Sequence, residues 1–167
     1  MAHCQKTDFI PLNVKVVTVS DTRDEMTDKS GRLIEQELLN AGHKVVNRQI
    51  VPDEIEDIRS AIDNQSVNVF IVTGGTGVTP RDMTPEALEP IFDKKLPGFG
   101  ELFRHLSFAE IGTATIQSRA CAGIIGESVV FSIPGSTKAC RLAMDQIILP
   151  QLDSRTKPCS LSGLLKF

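Results

Sequence analysis

The chain has 167 residues, a formal net charge of −3 and 41% hydrophobic residues. A chain of this length forms one domain, residues 1–167, that buries roughly 70% of the surface exposed when it is unfolded. The slightly negative charge argues against a nucleic-acid-binding protein, which needs a basic face. No apolar run approaches the roughly 18 residues of a membrane-spanning helix, so no membrane partner is expected.

Short apolar runs and amphipathic segments alternate through the first half of the chain. The pattern predicts strands at Val14–Ser20, Val45–Val51 and Val67–Val72, helices at Ser30–Ala41 and from Pro52 to about Asn64, and a polar loop at Asp21–Asp28. Gly42 suits the position that follows a helix, because glycine tolerates a left-handed backbone.

The second half continues the alternation. Its predicted elements are a helix capped by Thr84 with Pro85 in the first turn, a helix at about Gly100–Ser107, a strand pair at Arg119–Ile125 and Ser128–Ile133, and a last helix that opens at Pro134-Gly135-Ser136 and ends before Pro150. Residues 1–12 and 151–167 are expected to be surface tails.

This alternation predicts an α/β fold with three layers, α/β/α, around a mostly parallel central sheet. In such sheets ligands bind beyond the carboxyl ends of the strands. The first strand leads to Ser20-Asp21, the second to Pro52-Asp53, and the third to a glycine-rich loop followed by Asp82. Carboxylates from three strands are therefore expected on one edge of the sheet.

The glycine-rich loop, Thr73-Gly74-Gly75-Thr76-Gly77, directly follows an apolar strand. Its glycines let the backbone turn tightly and approach a ligand, and its N–H groups could bind an anion such as phosphate. The alternative is a simple tight turn between a strand and a helix. Neither a Walker A loop nor a GxGxxG motif is present, so a dinucleotide-dependent dehydrogenase is disfavoured.

Charged residues near these turns are candidate ligand contacts, each with a simpler alternative. Asp53 and Asp82 suit Mg²⁺, which needs few protein ligands, although an Asp at a helix start often only caps the helix. Arg81 offers a forked donor for phosphate, or is a solvated surface charge. A second turn, Pro134-Gly135-Ser136, presents N–H groups that attract anions, unless Ser136 serves only as a helix cap.

The cysteines and histidines show no metal-ligand or disulfide spacing. They are Cys4, Cys121, Cys140, Cys159, His3, His43 and His105. The cysteines form no CxxC pair, so reduced thiols and a cytoplasmic location are expected, and a zinc site is not.

Several runs of residues together resemble one protein family. They are VPDE at Val51–Glu54, TGGTGVTPRDMTPEAL at Thr73–Leu88, PGFGELFR at Pro97–Arg104, LSFAEIGTATIQSRACAG at Leu106–Gly123, SIPGS at Ser132–Ser136, PGSTKACR at Pro134–Arg141 and PQLDSRTKPC at Pro150–Cys159. The combination resembles the molybdenum cofactor biosynthesis proteins MoaB and MogA, and the MoaB branch in particular. The resemblance covers nearly the whole chain and implies the MogA-like molybdopterin-binding fold.

The resemblance further implies an enzyme, a molybdopterin adenylyltransferase that uses Mg²⁺ and takes ATP and molybdopterin as substrates. Asp53 and Asp82 match the family's two essential aspartates and would be catalytic and metal-binding. The residues expected to bind substrate or nucleotide are Ser20, Asp21, Thr73, Gly74, Gly75, Thr76, Gly77, Arg81, Glu101, Pro134, Gly135 and Ser136. A homo-oligomer is implied, a trimer or hexamer, with a downstream molybdenum-insertion enzyme as a partner.

Other functions remain open at this point. The main alternative is a non-catalytic protein of the same fold that binds or delivers molybdopterin. A competence-damage-type nucleotide hydrolase shares the fold, but the intact GTGVTPRD run at Gly75–Asp82 weighs against it. The molybdate-inserting enzyme carries additional domains for which 167 residues leave no room.

Overall fold

The computed structural model describes residues 8–63 and 66–165. Six strands in these ranges form one sheet in the order β2-β1-β3-β6-β5-β4. They are β1 (Asn13–Val19), β2 (Lys44–Val51), β3 (Val69–Thr73), β4 (Lys94–Lys95), β5 (Cys121–Ile125) and β6 (Ser128–Ile133). Strands β1, β2, β3 and β6 are parallel, whereas β5 runs antiparallel to β6 and β4 antiparallel to β5. The prediction of a mostly parallel sheet is confirmed.

Helices cover both faces of the sheet. They are α1 (Lys29–Asn40), α2 (Ile55–Ala61), α3 (Thr84–Leu88), α4 (Pro97–Ile111), α5 (Thr137–Ala143) and α6 (Leu149–Leu152), with 3₁₀ turns at Glu89–Ile91, Gly112–Gln117 and Leu161–Leu164. One core cluster packs α1, α4 and α5 on one face, and a second packs α2 and α3 on the other. Within the described ranges, no helix is both long enough and apolar enough to cross a membrane.

Helix α1 shows how a buried charge organises the start of an element. Asp28 is fully buried, and its Oδ1 accepts a hydrogen bond from the Gly31 N–H at 2.9 Å. The Arg48 guanidinium on β2 donates to Asp28 Oδ2 at 2.9 Å. The Asp28 carboxylate therefore caps α1 and also forms a buried ion pair. At the far end Gly42 has φ +93°, the left-handed conformation expected of a residue that ends a helix.

Several predicted boundaries shift in the structure, among them the start of β5, which is Cys121 instead of Arg119. The third strand begins at Val69 rather than Val67, although the backbone of Asn68 already bonds to Asn13 and Val129 on the neighbouring strands. Helix α2 begins at Ile55 and ends at Ala61; its predicted end, Asn64, lies outside the described residues. Helix α4 extends well beyond Gly100–Ser107 at both ends. Its earlier start is possible because Pro97 fits the first turn of a helix, where no N–H is needed.

The prediction that the last helix ends before Pro150 is wrong. After α5 the chain continues through a π-helical turn, Met144–Ile148, into α6, where Pro150 lies in the first turn. Proline lacks an N–H and its ring crowds the preceding turn of an α-helix. The wider π turn just before it changes the hydrogen-bonding pattern, so the missing donor does not end the helical path.

The terminal segments, where the structure describes them at residues 8–12 and 151–165, are more than the surface tails predicted for residues 1–12 and 151–167. Residues 1–7, with Cys4 and His3, and residues 166–167 lie outside the described ranges. Leu12, Leu152 and Leu165 are buried members of the main core cluster. The N–H of Leu12 also donates to Nδ1 of buried His43 at 3.3 Å. These leucines lie in short segments with neither helical nor alternating apolar spacing, so their burial could not be inferred from the sequence pattern.

Candidate active site

The parallel strands end at one edge of the sheet, and a cleft of about 560 Å³ lies there. Eleven of the predicted site residues line it: Ser20, Asp21, Asp53, Gly74, Gly75, Thr76, Gly77, Asp82, Pro134, Gly135 and Ser136. They come from the ends of β1, β2, β3 and β6, which are parallel neighbours. The topology therefore brings together residues more than 100 positions apart in the chain, as from Ser20 to Ser136.

The glycine-rich loop is held in a conformation that only glycine adopts easily. Gly74 and Gly75 have φ of +107° and +62°. A Cβ on Gly74 would lie 2.2 Å from the Val19 carbonyl oxygen, and one on Gly75 would lie 2.6 Å from Asp53 Oδ2. The loop backbone thus packs directly against the end of β1 and the Asp53 carboxylate.

Thr84 holds the same loop from its other side. Its hydroxyl donates to the Gly74 carbonyl at 2.8 Å, and its N–H donates to the Gly75 carbonyl at 3.0 Å. The prediction that Thr84 caps α3 is wrong, because Met83 occupies the cap position and makes no side-chain cap hydrogen bond. The Thr84 hydroxyl, which the local sequence predicts to cap α3, instead bonds the glycine-rich loop.

Asp53 is buried at the wall of the cleft and is not a helix cap. Glu54 holds the cap position of α2, while Asp53 Oδ1 accepts a hydrogen bond from the Met83 N–H at 2.9 Å. Burial raises the pKa of Asp53, and the charges of Asp82 and Asp21 raise it further, against the Met83 hydrogen bond. The ionised form of Asp53 is therefore unfavourable in the free protein, and a cation bound beside it would stabilise that form.

Asp82 lies in a more favourable environment than Asp53. Its Oδ2 accepts hydrogen bonds from the Thr79 N–H at 2.8 Å and the Thr79 hydroxyl at 2.6 Å. Burial opposes ionisation, but the hydrogen bonds from Thr79 and the Gly77 backbone, together with the positive charge of Arg119, outweigh it, so the pKa of Asp82 is lowered. A Cβ on Gly77 would lie 2.8 Å from Asp82 Oδ2, which places this carboxylate against the end of the glycine-rich loop.

Arg81 lies at the surface beside the cleft rather than in its lining. Its Nη2 donates to Asp21 Oδ2 at 2.8 Å, and its Nη1 donates to Glu54 Oε1 at 2.7 Å. The Asp53 N–H donates to Asp21 at 3.0 Å, and this bond and the Arg81 pairing lower the pKa of Asp21. Arg81 thus joins the ends of β1 and β2, and it is a paired, half-exposed surface charge rather than a free phosphate fork.

Two other predicted residues lie outside the cleft lining. Thr73 is fully buried, and its hydroxyl donates to the Pro134 carbonyl at 3.1 Å, which joins the glycine-rich loop to the second turn. Glu101, on α4, lines a second cavity of about 580 Å³ together with Arg104, Arg119 and Cys121. The structure therefore separates Glu101 from the other site residues.

The second turn closes the opposite side of the cleft. Ser136 caps α5, its hydroxyl accepting a hydrogen bond from the Ala139 N–H at 3.2 Å. A Cβ on Gly135 would lie 3.3 Å from Gly74 Cα, so the two glycine turns are in near contact. The alternative role of Ser136 as a helix cap is confirmed, and the residue also lines the cleft.

Arg23 is a site residue that sequence reasoning missed. Its Nη2 donates to the Gly135 carbonyl at 2.9 Å, and its Nη1 donates to the Ser30 hydroxyl. Among the described residues that line the cleft, it is the only one with a cationic side chain. Its position could have indicated this role, because Arg23 follows Ser20-Asp21 in the loop after β1, at the edge of the sheet where ligands are expected. Ser107, Gln117 and Ser118 also line the cleft; they lie in the run Leu106–Gly123 that carries the family resemblance, but nothing in that run marked them as site residues.

Cys121 and Cys140, the two cysteines near the cavities, are poor candidates for a nucleophile. Burial raises the pKa of Cys140, near the second turn, to about 11, against the hydrogen bond with Thr73. Burial likewise raises the pKa of Cys121, in the second cavity, to about 11. Thiols with such pKa values stay protonated at neutral pH, so the cleft chemistry depends on carboxylates and N–H groups.

Comparison with known proteins agrees with this architecture. A family model described as "Probable molybdopterin binding domain" matches residues 15–154. Molybdenum cofactor biosynthesis protein B of Escherichia coli K12 is 48% identical over 164 residues, which cover 96% of each chain. The chain belongs to the MoaB family. Its role is therefore in molybdenum cofactor biosynthesis.

Solved MoaB structures share the fold. A crystal structure of molybdenum cofactor biosynthesis protein B is 49% identical, with a TM-score of 0.83 over 86% of this chain and 92% of that one. The tungsten cofactor synthesizing protein MoaB from Pyrococcus furiosus is 42% identical, with a TM-score of 0.73 over 82% of this chain and 90% of that one. The predicted family and fold are thus confirmed for this MoaB-family chain.

The donor chemistry of the cleft fits Mg²⁺. Asp53 and Asp82 supply hard carboxylate oxygens, and Asp53 Oδ2 accepts no hydrogen bond from any described residue. No cluster of three or more Cys, His, Asp or Glu side chains suited to a metal occurs in the described ranges. An all-protein metal cage is therefore absent there, whereas a carboxylate pair that shares Mg²⁺ with substrate phosphates remains compatible with the residues.

Proposed function

We propose that this MoaB-family chain transfers AMP from Mg-ATP to the terminal phosphate of molybdopterin, giving adenylyl-molybdopterin and pyrophosphate. The observation that carries the proposal is one cleft bounded by two close glycine turns and by Asp53 and Asp82. A phosphoryl-type transfer requires little covalent help from the protein. It requires two anionic substrates held in line and compensation for the charge that develops, and both requirements match this set of residues.

The reaction balances without any protein nucleophile. A phosphate oxygen of molybdopterin attacks the α-phosphorus of ATP and forms a new phosphoanhydride bond. The bond between the α-phosphorus and its bridging oxygen breaks, and pyrophosphate leaves with the electron pair. The raised pKa values of Cys121 and Cys140 agree with a mechanism in which no thiolate takes part.

The chain's own residues would position the reacting groups. Backbone N–H groups of Gly75–Gly77 and of Ser136 are the donors for phosphate oxygens. Arg23, which touches the Gly135 carbonyl, adds a cation beside the second turn. Asp53 and Asp82 would hold Mg²⁺, which when bound neutralises charge on the leaving pyrophosphate.

A pyrophosphate-release assay with matched variants tests this proposal. Asp82→Asn keeps the shape of the side chain, and its amide oxygen can still accept from Thr79. We expect transfer to fall by on the order of 10²-fold or more, the effect of removing one preorganised charge. Asp57→Asn, on the exposed surface of α2, is the control and should retain normal turnover. Equal turnover by the two variants would remove Asp82 from the mechanism.

A further inference from the structure

Arg119, just before β5, makes three contacts to the segment that carries the glycine-rich loop and Asp82. Its Nε donates to the Gly77 carbonyl at 2.7 Å, and its Nη2 donates to the Asp82 carbonyl at 2.7 Å. Its backbone N–H donates to the Thr76 carbonyl at 3.0 Å. One residue from a distant part of the chain therefore fixes three carbonyl groups at the edge of the cleft.

The two carbonyls bound by the guanidinium lie at either end of an exposed turn. Gly77 precedes this turn and Asp82 follows it, while residues 78–81 between them are all exposed. Exposed turns have few packing contacts to hold them in one conformation. The guanidinium closes the turn at its base, where a planar fork with fixed donor directions determines the separation of the two carbonyls.

Glu86 holds the Arg119 guanidinium in place. The Arg119 Nη1 donates to Glu86 Oε1, on the first turn of α3, and this contact lowers the pKa of Glu86. The Arg119 side chain is 31% exposed, so it is shielded from much of the solvent that would otherwise compete for its donors. Loop, turn and helix α3 are thereby joined through one side chain.

We propose that Arg119 is a positioning residue for the adenylyl transfer, holding Gly77 and Asp82 where phosphate and Mg²⁺ would be bound. The inference rests on the proposed function and extends it to a residue outside the cleft lining. Arg119 acts through the loop backbone rather than on substrate. Losing its fork leaves Asp82 ionised and still bonded to Thr79 within the turn, but it releases the base of that turn. The carboxylate is then less well positioned, although its charge must be preorganised.

Arg104 provides a matched control. Like Arg119 it lines the second cavity, and its Nη1 donates to two backbone carbonyls, those of Ser118 at 3.3 Å and Ala120 at 3.1 Å. It makes no hydrogen bond to the glycine-rich loop or to residues 78–82 in the described structure. Lysine at either position keeps the charge but loses the planar fork.

The test compares Arg119→Lys with Arg104→Lys by amide hydrogen exchange and by steady-state kinetics. For Arg119→Lys we expect exchange at residues 76–82 to rise about 10-fold or more and kcat to fall by on the order of 10-fold or more, the loss expected when a catalytic charge is poorly positioned. For Arg104→Lys we expect wild-type exchange at those residues and kcat within about 3-fold of wild type. The melting temperatures of both variants serve to compare their general destabilisation.

The outcomes separate the two proposals. Equal exchange at residues 76–82 and equal kcat in both variants would overturn the role of Arg119 while leaving the proposed function intact. A wild-type protein that makes no adenylyl-molybdopterin would overturn both. If Arg119→Lys does not fold, Glu86→Gln replaces it, because it removes the ionic partner and keeps both carbonyl contacts. A smaller change in the same direction is then expected, and none would contradict the proposal.

Discussion

Asp53 and Asp82 show how two identical side chains acquire different properties at one site. Asp82 is supported by two hydrogen bonds from Thr79, and its pKa is lowered. Asp53 is buried, accepts one hydrogen bond from Met83 and faces the charges of Asp82 and Asp21, so its pKa is raised. The site therefore contains one stable carboxylate and one that is costly to ionise without a cation.

This difference predicts that Asp53→Asn stabilises the free protein while it abolishes most activity. Because the folded pKa of Asp53 lies above the usual 3.8, the unfolded chain loses this proton first and stability falls as pH rises through that window. An asparagine carries no charge and can still accept from the Met83 N–H. We expect a higher melting temperature at pH 7 than for wild type, with a smaller difference at pH 4.

Thermal unfolding without Mg²⁺ or nucleotide at the two pH values provides the measurement. Asp57→Asn on the surface of α2 should show no such pH-dependent gain. A melting temperature for Asp53→Asn below that of wild type at pH 7 would show that the ionised carboxylate stabilises the fold, contrary to this account. The accompanying loss of turnover would be typical of functional residues that reduce stability.

At the level of elements, Arg23 connects the loop after β1 with α1 and with the second turn of the cleft. It reaches from the loop after β1 to Ser30 on α1 and to Gly135 between β6 and α5. We expect Arg23→Gln to weaken binding of a phosphate ligand by roughly 10- to 100-fold, since a hydrogen bond from a charged group contributes about 1.5–3 kcal/mol. Calorimetric titration with Mg-ATP and with molybdopterin measures the effect.

Arg32→Gln is the control for Arg23. Arg32 on α1 also donates to backbone carbonyls, those of Asp28 and Met26, but it does not line the cleft. Its replacement should leave both affinities unchanged. Unaltered binding of both ligands by Arg23→Gln would mean that this guanidinium only holds the second turn against α1.

The sequence predicted those features of the site that depend on local pattern and strand order. Apolar periodicity placed the strands, and the parallel order then brought Asp53, the glycine-rich loop and the second turn to one edge. Long-range contacts were beyond this reasoning. Thr84 bonds the loop instead of capping its helix, and Arg81 is held by Asp21 and Glu54. In each case the donor group bonds to a residue on another element, and the local sequence does not indicate that residue.

At the level of the whole molecule, an apolar patch remains exposed. Phe108 and Ile111, three residues apart on one face of α4, and Ile116 in the turn that follows are 57%, 53% and 79% exposed. A cluster of this kind often marks an interface. Ile111 also lines the cleft, so the patch extends to the edge of the candidate active site. We propose that it lies between subunits in a trimer or, in preference, a hexamer.

Light scattering coupled to size exclusion tests this assembly. Wild type should have three or six times the mass of the 18.2 kDa chain. Phe108→Glu places a charge in the patch and should shift the protein to smaller species at micromolar concentration. Met26→Glu, at a residue that is 82% exposed in the loop before α1, should not. A monomeric wild-type protein would contradict the proposal.

The central claim is that this MoaB-family chain makes a new phosphoanhydride bond on molybdopterin. Mass spectrometry of the products, after incubation of the purified chain with molybdopterin and Mg-ATP, tests it most directly. The account predicts adenylyl-molybdopterin together with an equal amount of pyrophosphate, and neither product when molybdopterin, ATP or Mg²⁺ is left out. Molybdopterin recovered unmodified, although bound by the protein, would contradict the account and identify a binding or delivery protein.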